Sequence, residues 1–189
     1  MAKFDASGTD EMIRLLNGLG KETEKVCSMA LYKGMQVAAD ALAEAIEGLP
    51  TERFHPMPGS RNGKEPLNVL TEDDKADMLA GIGIARFEHT GNGVSSAASI
   101  EGYSRHKSAR FPNGIPLPMI ARSIESGSSA RKKHPFIRKS FRAKEPQIQQ
   151  AMEEAVHAAV DAYVASGSLP AFDGGGGQSG GEGITKTKT

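Results

Sequence analysis

From Glu22 to Glu47 the chain runs without a proline, and its apolar residues recur with helical spacing. Val26, Met29, Ala30, Val37, Ala41 and Ala45 recur at separations of three, four and seven residues, and Leu31, Met35, Leu42 and Ile46 widen the stripe. That period specifies one long amphipathic helix, with Glu22 and Glu24 at its positive end and Gly48-Leu49-Pro50 as its stop. The alanines let another backbone approach closely. The rest of the fold has to be built around this element from short pieces, because glycine and proline punctuate what remains.

Before it, residues 1–21 read as a short helix with Thr9 or Asp10 as cap, Met12, Ile13, Leu15 and Leu16 on its apolar side, and Gly18 and Gly20 at its end. After it, residues 51–70 form a breaker-rich loop holding Pro56, Pro58, Gly59, Gly63 and Pro66. A loop of that length suits contact with a partner better than the interior of a compact domain. Thr71-Glu72-Asp73-Asp74 is an acidic variant of a capping box, so a helix is expected from Thr71, with Met78, Leu79, Ile82 and Ala85 along its apolar side and fraying near Gly83. Gly91-Asn92-Gly93 signals a hairpin turn, and the alternation from Val94 to Tyr103 suggests one strand ending at Gly102. Pro116 and Pro118 suit a helix start that continues to Gly127. His134-Pro135-Phe136 is expected to be extended. Pro146 fits the first turn of a last helix over 146–165, with Ile148, Met152, Val156, Ala159 and Tyr163 on its inner side and Gly167 as its stop. The expected class is α+β: a small antiparallel sheet packed by a long N-terminal helix and a C-terminal helix. The division is an arm (1–21), a domain (22–165) and a Gly-rich flexible tail (166–189).

Several classes of function find no support in these residues. No apolar run approaches the length of a membrane span, and the start, MAKFDASGTDEM, lacks the apolar core of a secretory signal. Cys27 is the single cysteine, which excludes an intramolecular disulfide framework. Set between Val26 and Met29, it is expected to be a buried, inert thiol. The five histidines stand apart, with none three or four residues from another, and no metal motif occurs. Gly81-Ile82-Gly83 opens like a dinucleotide loop, but Arg86 stands where the third glycine belongs. The expectation is therefore no catalytic set, no metal and no cofactor.

Charge gives the clearest signal. The 189 residues carry 23 Lys plus Arg and 23 Asp plus Glu, a formal net charge of zero. Residues 1–50 hold five positive and eight negative charges, as do residues 51–104, so each segment is −3. Residues 105–142 hold ten positives against Glu125 alone, hence +9, and residues 143–163 return to −3. Arg131, Lys132 and Lys133 form a run, and Arg138, Lys139 and Arg142 follow at spacings that can share a face. Three readings fit: a solvated or salt-bridged surface facing the acidic helices, contact with an acidic subunit, or contact with DNA phosphates.

Four blocks in order carry a resemblance: Gly81-Ile82-Gly83-Ile84-Ala85-Arg86-Phe87, Ile100-Glu101-Gly102-Tyr103, the run from Ile120 to Ser129 containing Ile124-Glu125-Ser126-Gly127-Ser128-Ser129, and His134-Pro135-Phe136-Ile137-Arg138-Lys139-Ser140-Phe141. Over residues 22–165 the chain resembles the tailed-phage head–tail joining, neck and tail-completion proteins, typified by a lambdoid phage's gene-ten product. Ser128 replaces a usual Thr, and Lys139 stands where that pattern has Pro. The resemblance implies a structural virion protein of a siphophage or prophage. It would be assembled in the host cytoplasm without catalysis, as a homo-oligomeric, commonly sixfold ring between the connector and the tail tube, with non-specific DNA contact in the channel. A tail-terminator role is a close variant, and a DNA-binding packaging accessory protein is a separate alternative. Glu125, Gly127, Pro135 and Phe136 would define the fold, Gly127 by a left-handed helix end and Phe136 by anchoring to the core. Arg131, Lys132, Lys133, Arg138, Lys139 and Arg142 would supply a subunit or DNA contact.

Overall fold

The long amphipathic stretch forms helix α1, Thr23–Glu47, in a computed structural model that describes residues 17–20, 22–51, 70–90, 93–107, 109–128 and 131–172. Val26, Ala30, Gly34, Ala38, Leu42 and Ile46 are buried along α1 at four-residue steps, a stripe narrow enough for close helix packing. The expected helix over 1–21 lies outside the described residues, except that 17–20 are helical. The loop over 51–70 also lies outside them apart from its ends, which meet in a parallel bridge between Thr51 and Leu70.

Helix α2, Glu72–Ala80, starts where its cap predicts: the Asp74 amide donates to Thr71 Oγ1 at 3.1 Å. It ends earlier than the fraying expected near Gly83. The Gly81 amide closes the helix on Asp77 O, and the Glu101 amide donates to Gly81 O at 2.8 Å. A Cβ on Gly81 would lie 2.3 Å from Glu101 O. Strand pairing, available only because Gly81 has no side chain, takes over at Ile82.

Four short strands follow: β1 (Ile82–Ile84), β2 (Glu88–Thr90), β3 (Gly93–Ser95) and β4 (Ala98–Ile100). β2 and β3 pair antiparallel with Thr90 opposite Gly93, as the hairpin signal predicts. β1 pairs antiparallel with β4, Ile82 opposite Ile100. The single strand expected from Val94 to Gly102 is broken, because the ladder slips. Three residues, 85–87, face two, 96–97, with the Ala85 amide bonded to Ala97 O and Ser96 Oγ bonded to Ala85 O. An extra residue on one strand bends the hairpin and redirects side chains. Here Phe87 packs with its ring tilted against Tyr32 of α1, 6.4 Å between ring centres.

Helix α3, Leu117–Ser126, begins after Pro116 with Pro118 in its first turn, as the prolines predict. Helix α4, Ile137–Ser166, begins nine residues before Pro146. Pro146 therefore sits inside the helix rather than in its first turn. The start is set by a carboxylate from α3, as described below, which outweighs the proline's cost. At the far end Gly167 closes α4 at φ +71° and ψ 8°, its amide bonded to Tyr163 O. The first tail residues fold back, and Phe172 packs 5.9 Å from Tyr32; from residue 173 the Gly-rich tail lies outside the described residues.

α1 and α4 run antiparallel. Glu44 meets Lys144 at 3.2 Å, a Cβ on Gly34 would strike Met152 and Ile148, and one on Gly18 would strike the Tyr163 hydroxyl. The strands pack on the other side of α1, so the class is α+β with a long helix against a small antiparallel strand set, and α4 lies chiefly along α1. Val156, expected on the inner side of α4, is turned outward; Ala159 and Tyr163 are the buried positions. The apolar core sits at one end, where Leu42 and Ile46 of α1, Met78 of α2, Ile100 of β4, Leu117, Ile120 and Ile124 of α3, and Phe136 converge.

Candidate functional site

Glu125 sits in the last turn of α3 with its side chain 10 % exposed. Its carboxylate accepts from the amides of Phe136 at 2.7 Å, Ile137 at 2.9 Å and Arg138 at 3.3 Å. These are amides that open α4 and have no partner within the helix. A carboxylate at the positive end of a helix also meets its dipole favourably. Burial works to raise the Glu125 pKa, but the three amides and the nearby Arg138 charge outweigh it and hold the carboxyl below its ordinary value. One helix thus caps the next from eleven to thirteen residues upstream.

The turn itself is tight. Gly127 ends α3 at φ +79° and ψ 158°, a positive-φ extended conformation rather than the left-handed helical one expected; both favour glycine. A Cβ there would lie 3.0 Å from Lys133 Cβ. The Ser128 amide bonds to Arg131 O, and the His134 amide to Ile124 O at 2.7 Å. His134 and Pro135 are exposed and outside regular structure; Phe136, expected to be extended with them, instead turns to φ −121° and ψ −38° as it enters α4, and is 4 % exposed in the core cluster. The four residues assigned to the fold-defining motif therefore form one structural unit.

The basic stretch divides in two. Its first part turns inward onto the acidic helix α2. Arg105 reaches Asp77 through its amide (2.7 Å), Nε (3.0 Å) and Nη2 (2.8 Å), and Asp73 through Nη1 (3.2 Å). Burial works to raise the Asp77 pKa, but the hydrogen bonds from Arg105 outweigh it and lower the value. His106 Nε2 stands 3.3 Å from Asp73. Arg131 Nη2 pairs with Asp74 at 2.9 Å, with side chains only 11 % and 6 % exposed. Arg131 therefore leaves the proposed patch. Its ion pair ties the α3–α4 turn to α2.

The second part faces out. Lys132, Lys133, Arg138, Lys139 and Arg142 are all exposed, on the turn and on the first two turns of α4. Three of them lie at the positive end of a helix, where a cation is unfavourable; Glu125 offsets that charge from beneath. Beside them lies a groove of about 360 Å³ floored by Ala41, Ala45 and Phe136 and edged by Lys139 and Lys144.

Two further features escaped the sequence reading. Cys27 is exposed rather than buried: Val26 and Ala30 turn inward, and position 27 is rotated by about 100° from Val26 on the helix. Tyr103 and Met119 are large, exposed apolar residues on the edge formed by α3 and the chain before it; neither position has a periodicity that marks it. Among the described residues no group of three or more His, Cys, Asp or Glu side chains is placed to hold a metal ion, and no helix is long and apolar enough to cross a membrane. No family model, curated protein or solved structure matches this chain.

Proposed function

We propose that the chain is a structural subunit of a tailed-phage virion, a head–tail joining or tail-completion protein that assembles with copies of itself as a ring at the neck. One observation carries this reading: five exposed cations, Lys132, Lys133, Arg138, Lys139 and Arg142, crowd one rigid end of the molecule, while Asp73, Asp74 and Asp77 of α2 are occupied by Arg105, His106 and Arg131. Clustered, exposed cations favour an acidic partner surface. The Glu125 cap holds that end in a fixed shape, which suits a docking surface better than a flexible arm. The resemblance of residues 22–165 to the neck and tail-completion proteins supplies the identity of the partners: the connector or adaptor on one side, the tail tube or its terminator on the other. The work is stoichiometric. Subunits close a ring, present one surface to each neighbour and leave a channel for DNA.

The test is charge reversal at Lys132, Lys133 and Lys139 together, with Arg131 left intact because it is part of the fold. Unjoined heads and tails are the expected product. Full infectious yield from that triple variant contradicts the reading. The same exposed cations favour one alternative, a DNA-binding packaging accessory. That reading requires DNA affinity falling steeply with salt, by several phosphate contacts' worth, and absence of binding at low salt removes it.

A further inference from the structure

Among the described residues, four large apolar side chains stand out of the surface: Tyr103 (61 % exposed), Met119 (51 %), Val156 (37 %) and Val164 (60 %). They fall into two patches of opposite surroundings. Tyr103 pairs with Pro116 in an antiparallel bridge, and Met119 follows Pro116 by three residues in the first turn of α3, so the two share one edge. Arg122, one turn further along α3, is exposed on the same face. Arg110 lies 5.5 Å from the centre of the Phe111 ring, in the loop whose Gly114 packs against Ser104, the neighbour of Tyr103. Glu101 is turned back onto β4, where its carboxylate accepts from Ser99 Oγ. The first patch is apolar with a cationic rim.

The second patch lies on α4. Val156, Val160 and Val164 follow at four-residue steps and form one flank of the helix. Glu153, Glu154 and Asp161 are exposed beside them, and from Glu145 to Phe172 the sequence contains no Lys or Arg. This patch is apolar with an anionic rim. Exposed aromatic, Met and Arg residues are the composition of interface cores, and opposite rims choose which surfaces meet. Both patches are open in the same molecule, so neither covers the other within one chain.

We propose that the Tyr103–Met119 patch of one copy receives the valine flank of α4 from a second copy. The contact joins two different surfaces, so each copy keeps one of each open, and the assembly grows head to tail until it closes as a ring or continues as a filament. This inference rests on the reading of the chain as a self-assembling subunit, and it names the surfaces that join.

The test uses the full chain and light scattering after size exclusion over a range of concentrations. Wild type is expected to self-associate. Met119→Asp and Val164→Asp each place a charge in one patch and should weaken self-association by roughly a hundredfold or more, with unchanged far-ultraviolet circular dichroism because both sites are exposed. Mixed together, the two variants should form one-to-one dimers and nothing larger, since each retains the surface that the other has lost. Arg122→Glu should weaken assembly, and adding Glu153→Arg in the same chain should restore it in part. A monomeric wild type, a single Asp variant that assembles like wild type, or a mixture that yields no dimer overturns the proposal. If Met119→Asp and Val164→Asp leave head–tail joining intact while the triple lysine reversal abolishes it, this contact is wrong and the functional reading stands. If the contact holds but particles join normally without the chain, the functional reading fails alone.

Discussion

Replacing Glu125 removes the acceptor for three amides at once. In Glu125→Ala the Phe136, Ile137 and Arg138 amides at 2.7, 2.9 and 3.3 Å lose their partner, and Phe136 is buried, so water replaces that bond poorly. A single cap is worth about 0.5–2 kcal/mol, and hydrogen bonds to a charged group about 1.5–3 kcal/mol each before coupling. One carboxylate serving three amides cannot be worth their full sum, so the expected loss is about 3 kcal/mol for Ala, and about 1–2 kcal/mol for Gln, which keeps one oxygen. In a chain of this length that corresponds to a fall of about 6–12 °C in Tm for the Ala variant. The native carboxyl titrates below its ordinary value, so it stabilises the fold above the unfolded pKa, near 4.3. That contribution is lost as pH falls through the lower native pKa. Gln does not titrate, so the gap between wild type and Glu125→Gln should be full at neutral pH and shrink in acid. Urea unfolding at matched concentration, at neutral pH and at about pH 3, reads both quantities. A Glu125→Ala loss below about 0.5 kcal/mol refutes the cap, and a gap that persists unchanged in acid refutes its charged character.

Three further outcomes follow from the same packing. Arg131→Ala leaves Asp74 buried without this partner and should cost about 3–5 kcal/mol, whereas Asp74→Leu with Arg131→Met should cost far less; urea unfolding of both separates a fold contact from a surface charge. Pro146→Ala restores an amide in mid-helix and should stabilise the protein by about 1–3 kcal/mol; a destabilised variant would place Pro146 at a helix start after all. Cys27 should react with a thiol reagent in the folded protein within about tenfold of its rate in urea, and a thiol that reacts only after unfolding would contradict its exposure.

What the sequence made legible is local in origin. The stripe of α1, the Thr71 cap, the pairing of Thr90 with Gly93, the prolines that start α3 and the Gly167 stop each depend on residues within one or two turns of each other. What it hid depends on distant partners. Nothing near Ile137 announces a helix start, because its cap comes from Glu125 on the preceding helix, and Pro146 then offers a plausible but false one. The strand from Val94 breaks because residues 85–87 form a bulge against it, a matter of register and not of composition. The charge pattern was visible, but not its division: Arg131 and Lys132 are neighbours in sequence, and only the placement of Asp74 draws one of them inward. The same holds for Val156, which has the right spacing for the inner side of α4 but is left outside while Ala159 and Tyr163 take the buried face.

The central claim is that the chain joins heads to tails, and electron microscopy of particles assembled without it tests that most directly. Tailless heads beside loose, complete tails are the expected result, with normal particles restored when the purified chain is added back. Particles with normally attached tails in its absence would contradict the account.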